Sequence, residues 1–216
     1  MARREPLNRE KVLAAALDLA GKEGLDGLSM RKLAKTLGVE AMALYNHVAN
    51  KTDILNGIAE RVYATIDRPD PEQHWSERVR STALSTYRAL SRHPIVPLAL
   101  VTDQANPTSL QALQPFDDIV GALYEAGFDD DGVRRALGAL NSLIFGSLLL
   151  TTAGFAREHS THAEQDQMDV YIRQVDPAKL PHFSRVLPAL AAGTPEQDFK
   201  KALDWLIAGL TAAARP

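Results

Sequence analysis

The sequence predicts an all-α fold in two parts: an N-terminal three-helix helix-turn-helix domain, then a larger helical domain. Three observations carry this. Apolar residues recur at helical spacing along most of the 216 residues, whereas strand-like alternation is scarce. Capping residues, glycines and prolines cut that spacing into helix-length segments. The charge is also divided. Residues 1–52 hold nine Lys/Arg against six Asp/Glu, and the remainder holds fifteen against twenty-one. Only the N-terminal quarter therefore suits a polyanion. Apolar residues make up 45%, enough for a real core, and the absence of cysteine excludes a disulfide framework and thiolate chemistry.

The first helix has a clear start. Asn8 is a good N-cap, Leu7 before it is placed to staple onto Val12, and Val12, Ala15, Ala16 and Leu19 form a stripe. Gly24 is a natural stop. Ser29 caps the second helix, which turns Leu33, Ala34 and Leu37 inward and ends at Gly38. A short third helix covers residues 39–47, and Asn50 caps a fourth from Lys51 to about Asp67. Pro69 and Pro71 break the chain within an acidic stretch. The expected division is residues 1–50 for the helix-turn-helix domain, 51–68 for a connecting helix and 69–216 for the larger helical domain.

A fifth helix runs from about Trp75 to Arg92, and Pro94, Pro97 and Pro107 bracket a short helical piece. The next helix spans about Pro107 to Ala126. After it, the Asp129–Asp131 triplet suits the positive end of a long helix reaching about Arg157. Residues 158–176 read as loop, 177–192 as a short helix, and the last helix begins at Thr194/Pro195. Residues 136–156 carry no charge over 21 positions, long enough to cross a membrane. The run also contains Asn141, Ser142 and three glycines and stands alone, so a buried helix in a soluble dimer is the expectation.

Two short helices joined by a glycine turn form the helix-turn-helix pattern, whose second helix enters the major groove. With Val39 and Leu44 packed inward, Ala41, Met42, Tyr45 and Asn46 share the opposite side. Asn46 suits adenine, and Met42 and Ala43 suit thymine methyls. Arg31, His47 and Lys51 lie at the edges and suit phosphates, which position without specifying. The Arg3-Arg4 arm adds charge ahead of the first helix.

The runs Leu7-Asn8-Arg9-Glu10-Lys11-Val12, Gly24 to Ala34, Gly38-Val39 and Leu44 to Lys51 resemble the TetR family signature, and the tetracycline repressors more than most of its other members. The resemblance implies phosphate and base contacts at Arg31, Ala41, Met42, Ala43, Tyr45, Asn46, His47 and Lys51. Those repressors carry Gln and Pro where this chain has Ala41 and Met42, and an aromatic residue at Asn46, so a different operator is implied. The partners implied are a near-palindromic double-stranded DNA operator, a second copy of the chain and a small-molecule effector. A cytoplasmic location with no membrane and no cofactor goes with them.

The rest of the chain resembles the family more loosely, and that resemblance implies a helical ligand-binding and dimerisation domain. Gly138, Ala139, Ser142, Gly146 and Ala153 allow close approach of helices at a dimer face. Thr82, Thr86, Tyr87, Leu100, Gln114, Phe116, Ile119, Tyr124, Leu140 and Phe145 are candidate walls of a ligand pocket. Tetracycline repressors hold a drug-bound metal with a histidine and an acidic residue. Alignment places Leu100 and Phe155 at those positions, Asp67 near the drug-gripping histidine and Thr82 at the drug-binding asparagine. An insertion across Pro94 and Pro97 would bring in His93 instead. Leucine and phenylalanine offer a hard cation no oxygen, so the expectation is no metal and a largely hydrophobic ligand.

Two rival readings remain open. In one, the C-terminal half only dimerises and no ligand acts. In the other, the chain is a small helical enzyme. It has no glycine-rich phosphate loop and no nucleophile elbow, and Glu158, His159 and His162 are its nearest approach to a metal site.

Overall fold

The computed structural model describes residues 6–152 and 175–214. Helices account for the architecture, and no strand occurs among the described residues. In order they are α1 (Arg9–Gly27), α2 (Met30–Leu37), α3 (Ala41–Leu44), α4 (Lys51–Tyr63), α5 (Trp75–Ser91), α6 (Ile95–Val101), α7 (Leu110–Glu125), α8 (Asp130–Thr152), α9 (Pro181–Ala192) and α10 (Pro195–Ala213).

The N-terminal helices begin where short polar side chains capture orphan amides. Asn8 Oδ1 accepts from Lys11 N–H at 2.8 Å, Ser29 Oγ from Lys32 N–H at 3.3 Å, and Asn50 Oδ1 from Asp53 N–H at 2.9 Å. Gly38 ends α2 in the left-handed region at φ 64, ψ 41, where a Cβ would be strained. Gly24, at φ 74, interrupts α1 as expected, but helical turns resume beyond it to Gly27. The recognition element is shorter than residues 39–47: regular helix covers Ala41–Leu44, and 45–47 form a turn. Likewise α4 ends at Tyr63, short of Asp67.

Val12, Leu19, Leu33, Leu44 and Val48 form the core of the head, all buried. This core does not stop at the boundary proline residues. Ile54, Leu55, Ile58, Ala59, Val62 and Tyr63 are all buried on α4, which packs against α1 on one side and α5, α6 and α7 on the other. The connecting helix is therefore shared by both halves. Behind it, α5 packs against α7, α8 and α10. Tyr87 of α5 stacks on Phe199 of α10 with ring centroids 4.1 Å apart and planes at 9°.

The long helix α8 carries an apolar stretch, Asp130–Leu150, of membrane-spanning length, most of which is not buried within the monomer. Gly138, Ala139 and Ser142 are exposed on it, and a Cβ added at Gly138 or Gly146 would meet nothing within 4 Å. On α10, Trp205 is 69% exposed. The Arg3-Arg4 arm, Ala153, Phe155, the end of the long helix at Arg157, the Glu158/His159/His162 group and most of the 158–176 loop lie outside the described residues.

Candidate DNA interface and regulatory cavity

The exposed side of the helix-turn-helix follows from which residues the head core takes. Leu44 is fully buried and Val39 packs against the same core, so the other side of α3 faces outward. Met42 is 74% exposed and Tyr45 48% exposed, with Asn46 exposed beside them. Ala43 and His47 are half-buried. Ala41 departs from the expected pattern: it is half-buried and packs against the core, so it has less surface to offer a base than Met42.

The two flanking cations differ. Arg31 is exposed and has no ion pair among the described residues. Lys51 is half-buried, and its Nζ donates to the Leu25 carbonyl at 2.6 Å, so it ties the start of α4 to the last turn of α1. A side chain expected to serve phosphate thus has one of its three donors engaged in the fold.

In the regulatory half, α4, α5, α7 and α8 enclose an apolar cavity. Tyr63, Thr86, Pro115, Phe116, Ile119, Leu137, Leu140, Asn141, Ile144 and Phe145 line it. The void is only about 10 Å³, roughly one water's worth, so side chains fill most of the space. Tyr63 and Phe116 face one another with centroids 5.9 Å apart. Burial pushes the Tyr63 phenol up to about 12, so it stays neutral and retains its proton. Neither the Tyr63 hydroxyl nor the Asn141 amide has a hydrogen-bond partner among the described residues.

Of the ten expected wall residues, Thr86, Phe116, Ile119, Leu140 and Phe145 line this cavity. The other five do not. Thr82 lies one turn before Thr86, buried, with its hydroxyl unpartnered and its carbonyl accepting from Thr86 Oγ1 at 2.8 Å. Tyr87 is stacked on Phe199 instead. Tyr124 is 49% exposed and donates its hydroxyl to Asp130, closing the α7–α8 turn. Leu100 and Gln114 are half-buried away from the lining. The alternative His93 is also absent from it.

Two polar lining residues escaped the sequence reading. Tyr63 belongs to the segment read as a connector. Asn141 lies in the uncharged run, and its side chain, the one carboxamide among residues 136–156, is the signal that marks it. Among the described residues no group of three His, Cys, Asp or Glu side chains is placed to hold a metal ion.

Comparison with known proteins agrees on both halves. The tetR-family domain of bacterial regulatory proteins matches residues 12–58, and the tetracyclin repressor-like C-terminal domain matches residues 68–214. The Escherichia coli class C tetracycline repressor is 29% identical over 207 residues, 94% of this chain and 90% of that protein. The E. coli class D repressor is 42% identical, but over 90 residues, 40% of this chain and 41% of that repressor. A solved TetR-family structure from Streptomyces coelicolor A3(2) is 30% identical with a TM-score of 0.79, covering 95% of this chain and all of that one. ActR from S. coelicolor, solved with actinorhodin, also has a TM-score of 0.79 at 24% identity, covering 97% of this chain and 98% of ActR. That likeness speaks to the fold.

Proposed function

The chain belongs to the TetR family of bacterial regulatory proteins and is a DNA-binding regulator with a ligand-binding domain, and from this premise we propose how it works. It is a cytoplasmic repressor that binds a near-palindromic operator as a homodimer and is released by a small, mostly apolar ligand.

The observation that carries the DNA reading is the outward set Met42, Tyr45, Asn46, presented by a segment whose Leu44 is fully buried. Methionine and tyrosine so exposed contribute little to folding there and suit base edges and methyl groups. Arg31 supplies a phosphate contact. Dimerisation uses the exposed small residues of α8 together with Trp205 of α10, surfaces a monomer leaves uncovered.

The sensing reading rests on Tyr63. It lines the cavity and ends α4, the helix whose other end carries Lys51 and abuts the recognition segment. Drug-sized pockets are roughly 300–1,000 Å³. A ligand therefore has to spread these walls, and Tyr63 moves with them. Such a ligand changes DNA affinity only by binding one arrangement of α4 better than the other. The cavity's chemistry favours an apolar body with one or two hydrogen-bonding groups to meet Asn141 and the Tyr63 hydroxyl. No described lining residue is acidic or histidine, and the reading of a metal-free ligand rests on Leu100 and Phe155 standing where the tetracycline repressors place their metal-holding side chains.

The test is in vitro selection of duplex DNA by the purified dimer, followed by an effector screen on the selected site. A two-fold symmetric consensus, and release by compounds that Tyr63→Ala makes ineffective, is the expected result. Selection of no consensus sinks the DNA reading. Release that Tyr63→Ala leaves untouched sinks the route through α4.

A further inference from the structure

The base of the recognition segment is held by a pair of charged side chains 44 positions apart. Arg9, the first residue of α1, places Nη2 2.7 Å from Asp53 Oδ1 and Nη1 2.9 Å from Oδ2. The same Nη1 donates to the carbonyl of His47 at 3.2 Å. Asp53 Oδ2 in turn accepts the Ala49 N–H at 2.8 Å, while the Asp53 N–H donates to the capping Asn50 at 2.9 Å. One guanidinium and one carboxylate thus join the start of α1, the end of the recognition segment and the first turn of α4. The two-pronged geometry is one that arginine supplies and lysine does not.

The close approach it needs is built in. A Cβ at Gly57, one turn along α4, would lie 2.8 Å from Leu13 Cδ1 and 3.2 Å from Arg9 Nη2. Only glycine lets α1 and α4 close to this distance without displacing those side chains.

The segment so held is anchored by the buried Leu44 and Val48 but has little regular structure of its own. Helix α3 has four residues, and Glu40 before it makes no side-chain cap. Tyr45, Asn46 and His47 lie in the turn beyond, and their placement depends on what fixes the chain between Leu44 and Lys51. Charge also argues that Asp53 is there for structure. An acid in a DNA-binding head repels phosphates and weakens binding on electrostatic grounds alone. Hydrogen bonding from Arg9 holds its carboxyl below the usual carboxylate range, so it remains ionised wherever DNA is bound.

We propose that Arg9 and Asp53 are positioning residues for sequence recognition: together they set the register of Tyr45–His47 against the base edges without themselves reading a base. The inference rests on the reading that residues 41–47 face DNA.

The test compares wild type, Asp53→Asn and Arg9→Lys on the selected operator and on a random-sequence duplex, across a salt series. The first substitution keeps an acceptor for the turn while removing the negative charge. The second keeps the positive charge while removing the two-pronged donor. The expected result for each variant is about a fivefold loss of operator affinity, the upper end for a partly exposed pair. Affinity for the random duplex is unchanged, or raised for Asp53→Asn, and the salt slope is unchanged because no phosphate contact is lost. The ratio of operator to random binding is the readout, since unfolding lowers both together. Asp53→Asn binding the operator as tightly as wild type, or more tightly, overturns the proposal, because that is what charge alone dictates. Arg9→Lys with an unchanged ratio overturns it equally. Wild type showing no preference between the two duplexes would instead remove the DNA-facing assignment beneath it.

Discussion

Truncating Met42 to alanine separates what the recognition segment contributes to folding from what it contributes on DNA. Full burial of a methionine side chain stabilises a fold by about 1.5–3 kcal/mol. Met42 is 74% exposed, so only about a quarter of that, roughly 0.4–0.8 kcal/mol, is at stake in the free protein. A lost base contact costs about 1–3 kcal/mol, or roughly five- to 150-fold in affinity for the preferred sequence. Leu44, two residues on and fully buried, is the control: its truncation costs about 2–5 kcal/mol and loosens the whole head. Thermal unfolding and in vitro site selection on both variants measure the two quantities. Met42→Ala should melt close to wild type yet select a changed consensus at one position of each half-site. An unchanged consensus at full stability would show that Met42 does not face the bases, and would refute the orientation assigned to α3.

Other consequences follow from single contacts. Arg31→Ala should weaken operator and random DNA alike and reduce the salt slope by about one, read by anisotropy titrations at several ionic strengths; a change of sequence preference would move Arg31 from phosphate to base. Phe199→Ala, removing a 1% exposed ring stacked on Tyr87, should cost about 3–5 kcal/mol in denaturant unfolding; a loss under about 1 kcal/mol would contradict the packing of α5 on α10. Asp53 and Glu196 have carboxyls lowered chiefly by hydrogen bonds, from Arg9 in one case and from Lys200 and then Arg88 in the other. Lowered carboxylates stabilise the fold above their unfolded pKa, near 4, and lose that stabilisation as pH falls through the folded value. Urea midpoints should therefore hold steady from neutrality to about pH 5 and drop below about pH 4, and a drop already at about pH 6 would implicate another group. Tetracycline with millimolar Mg²⁺ should give no tight, metal-dependent heat in calorimetry, because among the described residues the lining offers Asn141 and hydroxyls but no carboxylate or imidazole.

What the sequence made legible was local. Asn8, Ser29 and Asn50 each cap a helix three residues before the amide they accept, and Gly38 ends α2 in the one region its lack of a Cβ favours. Such signals lie within four residues of their effect. The head was therefore readable nearly element by element, down to Leu44 in and Met42 out. The cavity was not, because residue type does not say which way a side chain turns in a bundle. Tyr87 and Tyr124 have the same composition signal as Phe116, yet one stacks on Phe199 and the other closes a surface turn. Leu100 was placed by an alignment across two prolines, and the short helix α6 turns it elsewhere. Lys51 reaches Leu25 and Arg9 reaches Asp53 over 26 and 44 positions, distances at which spacing carries no information. Tyr63 was hidden for another reason: α4 looks like a connector in sequence but is a wall of the core in space.

The distance between the two DNA-binding heads tests the account most directly. A spin label at an exposed site on α2, Lys35→Cys in this cysteine-free chain, reports it in the dimer by pulsed electron resonance. Operator DNA and a cavity-binding effector should give two distinct distances, with the effector-bound one matching neither the helical repeat of DNA nor tight operator binding. A single unchanged distance with the effector saturating the cavity would contradict the proposed route from Tyr63 through α4 to the recognition segment.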